Sequence, residues 1–337
     1  MRIGKISENV LIRSVLRNIK TKREEVLCGA GVGRDCAVLS FDENTETVIS
    51  TNPISAPMDM VGCYGIHKAL NNVAAAGAEP VGIMISALLP EATEEKELQV
   101  MMKQTEEIAK LYNVQIMGGH TDVMSGINLP ILTVTGVGKR SKLSTRENEA
   151  DGHAIRAGQD VIISKWIGLE GTVRLAREHK EELITRYPIG MIEEAMEFER
   201  FLSVVPEAAT AVKSGVCGMH DVSWGGIFGA LWEMADGAGV GLEIDLKKLP
   251  VRQETIEICE FYDLNPYELL SGGSLLMTAT DGTGLVRELD KAGIPAVIVG
   301  KTTAGNDRVI LNEDERRFLE PPKTDQIYML GKTDKNM

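Results

Sequence analysis

The sequence predicts a two-domain protein of mixed α/β class. Runs rich in β-branched residues alternate with amphipathic helical patterns along most of the 337 residues. A polar, charged stretch at 140–157, carrying Gly152 with Gly158 just beyond it, divides these patterns into two blocks. The length suits two domains of about 100–200 residues each. The expected domains are therefore 1–150 and 151–330.

The elements follow in order. Apolar residues at helical spacing (Val10, Leu11, Val15, Leu16, Ile19) predict a first helix over 7–20. Gly29, Gly31 and Gly33 break it into a loop, and strands are expected at 36–40 and 47–51. A helix at 60–76 is rich in Gly and Ala, which lets another backbone approach closely. The apolar run 81–89 reads as a buried strand. A charged amphipathic helix spans 94–112, with Thr93 as its N-cap. A strand at 114–117 runs into a turn at Gly118 and Gly119, and another strand covers 129–138. In the second block, strands are expected at 160–164, 242–245, 275–280, 296–299 and 309–311. Helices are expected from 172 to 178, over most of 190–213 with a restart at Pro206, and at 225–237. The last dozen residues are polar and read as fraying.

Composition narrows the function. Lys plus Arg number 36 against 49 Asp plus Glu, a net charge of −13. That excludes a general nucleic-acid binder, which carries a basic stripe, but not a nucleotide, whose phosphates need only a few donors. No run of about 18 apolar residues offers a membrane span. The first residues lack the apolar core of a secretory signal, so a cytoplasmic location is expected. The five cysteines are scattered with no C-x-x-C pair and read as reduced thiols.

Four segments end a strand or loop in glycines and small polar residues where a helix or turn begins: GAGVGRDCAVL (29–39), NNVAAAGAEP (71–80), MGGHTDV (117–123) and MHDVSWGGIFGALWE (219–233). Each alone is an ordinary tight turn. Their order and spacing resemble the AIR synthase superfamily, which includes thiamine-monophosphate kinase, selenophosphate synthetase and the hydrogenase-maturation protein HypE. Its members show Gly-Asp-Asp-Ala-Ala, Thr-Asp, Asn-Asp-Leu/Val-Ala-x-x-Gly-Ala, Gly-Gly-Asp/Glu-Thr and His-Asp-x-Thr/Ser-x-Gly-Gly motifs. These fall on 33–37, 51–52, 71–78, 118–121 and 220–226 here. The stretches 165–178, 239–245 and 269–279 resemble the HypE-like branch, and the likeness covers roughly residues 5–315.

The resemblance implies a PurM-like two-domain fold. Its N-terminal domain binds ATP and contributes strands to a β-barrel shared between two subunits, and its C-terminal domain is an α/β sandwich. It implies a homodimer, a nucleotide or other phosphate-bearing small molecule as ligand, magnesium on acidic side chains, and a maturation partner protein. By position it suggests His120 and Asp221 as catalytic candidates. Gly33, Arg34, Asp35, Asn52, Asn72, Gly119, Thr121, Lys165 and Glu170 become nucleotide-site candidates, with Asp35 also a metal ligand. Four of them have a plain alternative: Asp35 as a loop residue, His120 filling space left by a lost carboxylate, Asp221 (or Ser223) capping the next helix, and Glu170 capping its own.

The departures bear on function. Arg34, Asn52, Asn72 and His120 stand where the family carries acids, and Trp224 stands where a Glu is frequent. Magnesium is a hard ion that takes carboxylate oxygens and waters. Asn adds no charge, His suits softer metals, and Arg34 repels a cation but grips phosphate. Four such changes argue that the magnesium-ATP site is remodelled or abandoned. HypE also carries a C-terminal cysteine; the last cysteine here is Cys259, so a HypE-like paralogue without tail-cysteine chemistry is expected. Two readings stay open: ATP-dependent activation of a small metabolite or carboxamide, or a catalytically degenerate regulatory or partner-binding homologue. A transition-metal site at His120 with His67 or His220 lacks helical ligand spacing.

Overall fold

The structure is a computed structural model that describes residues 4–5, 10–28, 30, 38–141, 155–321 and 324–330. The chain divides into two compact units, one of residues 1–74 and 78–143, the other of 144–337 together with 75–77.

The first unit is built on a five-stranded sheet. Its strands are β1 (Gly4–Lys5), β4 (Thr45–Ser55), β5 (Glu79–Pro90), β6 (Gln115–Met124) and β7 (Ile131–Ser141), in the order β1-β6-β5-β7-β4. β5 and β6 run parallel and the other pairs antiparallel. A two-stranded ribbon, β2 (Val26–Cys28) with β3 (Val38–Leu39), completes the strands described. The small-residue helix Val61–Ala75 lies against one face of the sheet. A Cβ on Gly136 would stand 2.9 Å from the Ala69 carbonyl oxygen, so glycine permits the close approach. The helix Glu95–Leu111 starts at Glu94 rather than Thr93, because the Glu97 carboxylate reaches back to the Glu94 N–H at 2.7 Å. Ile66, Leu70, Ile83, Leu89, Leu98, Met101, Ile116 and Leu132 are fully buried between sheet and helices.

Two expectations change here. In place of a first α-helix, residues 11–18 form a π-turn and a 3-10 turn. Asn18 donates to the Ser14 carbonyl, and Arg13 and Ser14 bind Glu95, so side chains hold the segment to the next helix. The GGHTDV segment is not a turn, since β6 continues through it to Met124. Met117 is an extra residue opposite β5, a bulge that re-aims the residues after it.

The second unit carries a seven-stranded sheet of β8 (Asp160–Ser164), β9 (Val216–Val222), β10 (Gly241–Asp245), β11 (Ser274–Ala279), β12 (Ala296–Thr303), β13 (Arg308–Asn312) and β14 (Glu315–Phe318). Their order is β14-β13-β10-β12-β8-β11-β9, with only β10 and β13 parallel. The helix Gly226–Ala238 packs Ile227 and Leu231 against Val161, Ile163, Leu242 and Leu276. Ile162 and Met277, from alternate strand positions, are also fully buried, so both faces of the sheet are covered. Helices Leu169–Glu178, Ile189–Met196 and Gln253–Phe261 share a second core around Leu175, Ile192 and Ile258. The helix Val205–Lys213 restarts with Pro206 in its first turn. Cys63 and Cys259 are buried thiols outside any disulfide, and burial pushes the Cys259 thiol up to about 12. No described helix is long and apolar enough to cross a membrane.

Candidate functional site

In the first unit, strand pairing decides which candidates meet. Asn52, Val134, Ile85 and Gly119 stand in one register row across β4, β7, β5 and β6. Pro53, Thr133, Ser86 and His120 form the next row. Successive strand residues point to opposite faces, so Asn52, Gly119 and Thr121 share one face and His120 takes the other. The Asn52 face is the one covered by the helix Val61–Ala75. There the Asn72 amide donates to Ser50 Oγ at 2.9 Å, and the Asn52 amide donates to the same oxygen at 3.1 Å. Two positions where the family carries acids thus meet as neutral amides on one hydroxyl. Ser50 is the residue that sequence reasoning missed; its position two before Asn52 on a strand was the available signal.

His120 lies on the exposed face, where its Nε2 and Asp122 Oδ2 are 2.9 Å apart. The strand conformation of this segment is what lets residues two apart pair. His120 and Asn52 are therefore separated by the sheet and by three strand spacings, on the order of 14 Å. No single ion binds both within one chain. Gly119, His120 and Thr121 all help line a narrow cleft of about 50 Å³, closed by Val15, Leu16, Ile19 and Met102. Gly119 is obligatory, because a Cβ there would stand 1.8 Å from the Ile85 carbonyl oxygen. Gly33, Arg34 and Asp35 lie outside the described residues.

In the second unit, Lys165 is 7% exposed and bound to Glu207, itself 2% exposed, at 2.5 Å. Its ammonium also donates to the carbonyls of Phe201 and Ser203 at 2.8 and 2.5 Å. Burial pulls the Lys165 amine down and pushes the Glu207 carboxyl up, against their mutual attraction. Glu170, 5% exposed, folds over the turn at Gly272, where an added Cβ would meet its Oε2 at 2.0 Å. The two segments flagged around Glu170 and Ser271 are thus packed together, and Ser271 Oγ also accepts the Gly168 N–H at 2.7 Å.

His220 and Asp221 are adjacent on β9. His220 Nε2 lies 3.2 Å from Glu233 of the following helix, and its Nδ1 is 2.8 Å from the Asp221 carbonyl. Burial opposes the charged ring, but the Glu233 hydrogen bond and the Asp221 charge outweigh it and raise the His220 pKa. Neither Asp221 nor Ser223 caps the helix Gly226–Ala238. Its N-cap is Gly225, in the left-handed region at φ 77°, and the Gly225 N–H is taken by Asp325 Oδ2 at 2.7 Å. Trp224 stacks on Tyr328, with ring centroids 5.3 Å apart.

Magnesium, which the resemblance implies, needs carboxylates. Among the described residues no three His, Cys, Asp or Glu side chains gather at one point. Asp35, the acid that the resemblance offers to magnesium, lies outside the described residues.

Residues 33–139 match the AIR synthase related protein N-terminal domain, and residues 156–312 match the corresponding C-terminal domain. The chain belongs to the AIR synthase related family. Within it, the chain is 25% identical over 338 residues to a putative hydrogenase expression/formation protein of Methanocaldococcus jannaschii, covering 96% of each. It is 26% identical over 300 residues to carbamoyl dehydratase HypE of Cupriavidus necator, covering 86% of this chain and 79% of that one. In fold it resembles the crystal structure of a hydrogenase maturation protein HypE in complex with ATP, at a TM-score of 0.80 and 18% identity. That match covers 96% of this chain and 97% of the other. It also resembles thiamine-monophosphate kinase of Stenotrophomonas maltophilia, at 0.72 and 19%, over 91% and 97%. The AIR synthase architecture, with two α/β units of this HypE-like kind, is thus the frame that carries the candidate residues.

Proposed function

We propose that this HypE-like protein binds ATP, or a related phosphate-bearing nucleotide, without a carboxylate-held magnesium ion. The observation that carries the reading is the convergence of the Asn52 and Asn72 amides on Ser50 Oγ. An uncharged amide pair supplies hydrogen bonds to a polyphosphate or ribose but leaves no charge to hold a hard dication. Support for a nucleotide comes from relatives solved with one: a HypE in complex with ATP, and a thiamine-monophosphate kinase with AMPPCP and TMP.

The working form is a homodimer in the cytoplasm. The distance within one chain between the His120 face and the Asn52 face favours a site completed by a second copy. Among the described residues β4 is the last strand of its sheet, and Ile49 on it is 66% exposed. A maturation partner protein fits the likeness to a HypE solved in complex with HypF. The same neutral amide pair favours, as a second reading, a regulatory homologue with turnover near background.

Calorimetry of ATP binding with and without Mg²⁺ tests the proposal. The expected result is binding whose affinity Mg²⁺ changes by less than about threefold, under 1 kcal/mol. Absence of binding, or binding only with Mg²⁺, contradicts it. Phosphate release above background under the same conditions contradicts the second reading alone.

A further inference from the structure

The 324–330 segment returns to the second unit and is built into it. Asp325, 4% exposed, accepts three backbone N–H groups: Gly225 at 2.7 Å on Oδ2, and Leu270 at 3.2 Å and Ile327 at 3.0 Å on Oδ1. Gln326 donates to Glu268 Oε2 at 2.9 Å and accepts from the Asn265 N–H at 3.3 Å. Tyr328 stacks on Trp224, while Ile327 and Leu330 pack onto the core around Leu175 and Ile258.

The two long-range bonds of Asp325 end on the two glycine segments that sequence analysis singled out in this unit. Gly225 lies within the 220–226 segment and is the N-cap of the helix Gly226–Ala238. Leu270 lies in 269–274, the first part of the 269–279 segment, whose Gly272 lies under Glu170. The helix has no side-chain cap of its own, so its leading N–H group depends on a residue 100 positions away. The same two segments touch directly, through Ser271 N–H to the Ser223 carbonyl at 3.2 Å, and just beyond them Phe228 N–H reaches the Tyr267 carbonyl at 3.1 Å. Gly226, at φ 62°, admits no side chain, because a Cβ would stand 2.5 Å from the Tyr267 carbonyl oxygen. This seam is tight and backbone-built, and a single buried carboxylate ties its two sides.

We infer that Asp325 is a positioning residue. Its carboxylate pins the 220–226 segment to the 269–274 segment, and the 324–330 segment is the latch that delivers it. Asp221 and Trp224 lie on the first pinned segment and the turn facing Glu170 on the second. The latch thereby sets the geometry of every second-unit candidate except Lys165. Its consequence for nucleotide affinity rests on the proposed function; its structural action does not.

Residue-level hydrogen exchange on the full chain separates the two. In Asp325→Ala, the Gly225 and Leu270 amides should exchange about tenfold or more faster, as loss of bonds to a charged group requires. Amides of β8 and β12 should hold their wild-type rates. Asp325→Asn is near-isosteric and keeps Oδ1 as an acceptor. It should accelerate Gly225 while sparing Leu270, and it serves if the alanine variant fails to fold. Tyr328→Leu, which removes only the ring stack, should leave both amides protected. Unchanged exchange at Gly225 and Leu270 in Asp325→Ala overturns the inference. Uniform acceleration across the whole seven-stranded sheet in Asp325→Asn overturns it too, because that marks general loosening. ATP calorimetry on the same variants then reads the consequence. Weaker binding in Asp325→Ala than in wild type is expected, and wild-type affinity with a loosened seam confines the latch to structure.

Discussion

Asn52 and Asn72, which meet at Ser50, each differ from an aspartate by one oxygen exchanged for an NH2 group. An Asp at either asparagine position would add a charge and remove the amide donors that now meet on one hydroxyl. Both asparagines were legible in the sequence as missing acids, whereas their meeting point was not, because it depends on helix-to-strand packing. His220 is a second residue-scale case. Its partner Glu233 lies on the next helix, and no spacing rule singles that residue out. The pair raises the His220 pKa, so its contribution to stability is fully present below the ordinary value of 6.5 and is lost as pH rises through the folded value. Replacing Glu233 by Gln should lower the His220 pKa, read from imidazole NMR shifts across pH 5–8. An unchanged pKa would show that the Asp221 charge alone sets it.

At the scale of elements, sequence reasoning was strongest where burial is periodic. The helices Val61–Ala75 and Glu95–Leu111 and the strand Glu79–Pro90 lie within two residues of expectation. It failed where tertiary partners decide. GGHTDV carries turn residues, yet pairing with β5 keeps it extended, and that is what brings His120 to Asp122. The polar last dozen residues hid an ordered 3-10 turn, Gln326–Met329, because its anchor is a single aspartate. Lys165 sat in a recognised motif, but nothing marked Glu207 as its partner. Glu207→Ala leaves the ammonium buried without its counter-charge and should cost about 3–5 kcal/mol in urea unfolding. Lys165→Met combined with Glu207→Leu should recover most of that loss while keeping ATP affinity. A double variant that is stable but no longer binds ATP would return Lys165 to the ligand site.

For the whole molecule, the two-unit α/β architecture was readable from motif order, which fixes the family more firmly than any one glycine turn. Self-association was implied only by resemblance, and the exposed Ile49 on the β4 edge gives it a physical handle. Sedimentation of the wild-type chain should report a dimer, and Ile49→Lys should shift it toward monomer by placing a charge on an apolar contact. An unshifted dimer would move the interface elsewhere. On the proposed function, neutral amides stand in place of a magnesium site. Its most direct test is ATP affinity, with and without Mg²⁺, for the wild type and for Asn52→Asp combined with Asn72→Asp. Mg²⁺ should leave the wild type nearly unchanged and strengthen binding to the double variant by about tenfold or more, roughly 1.4 kcal/mol. Strong Mg²⁺ dependence already in the wild type, or none in the double variant, would contradict it.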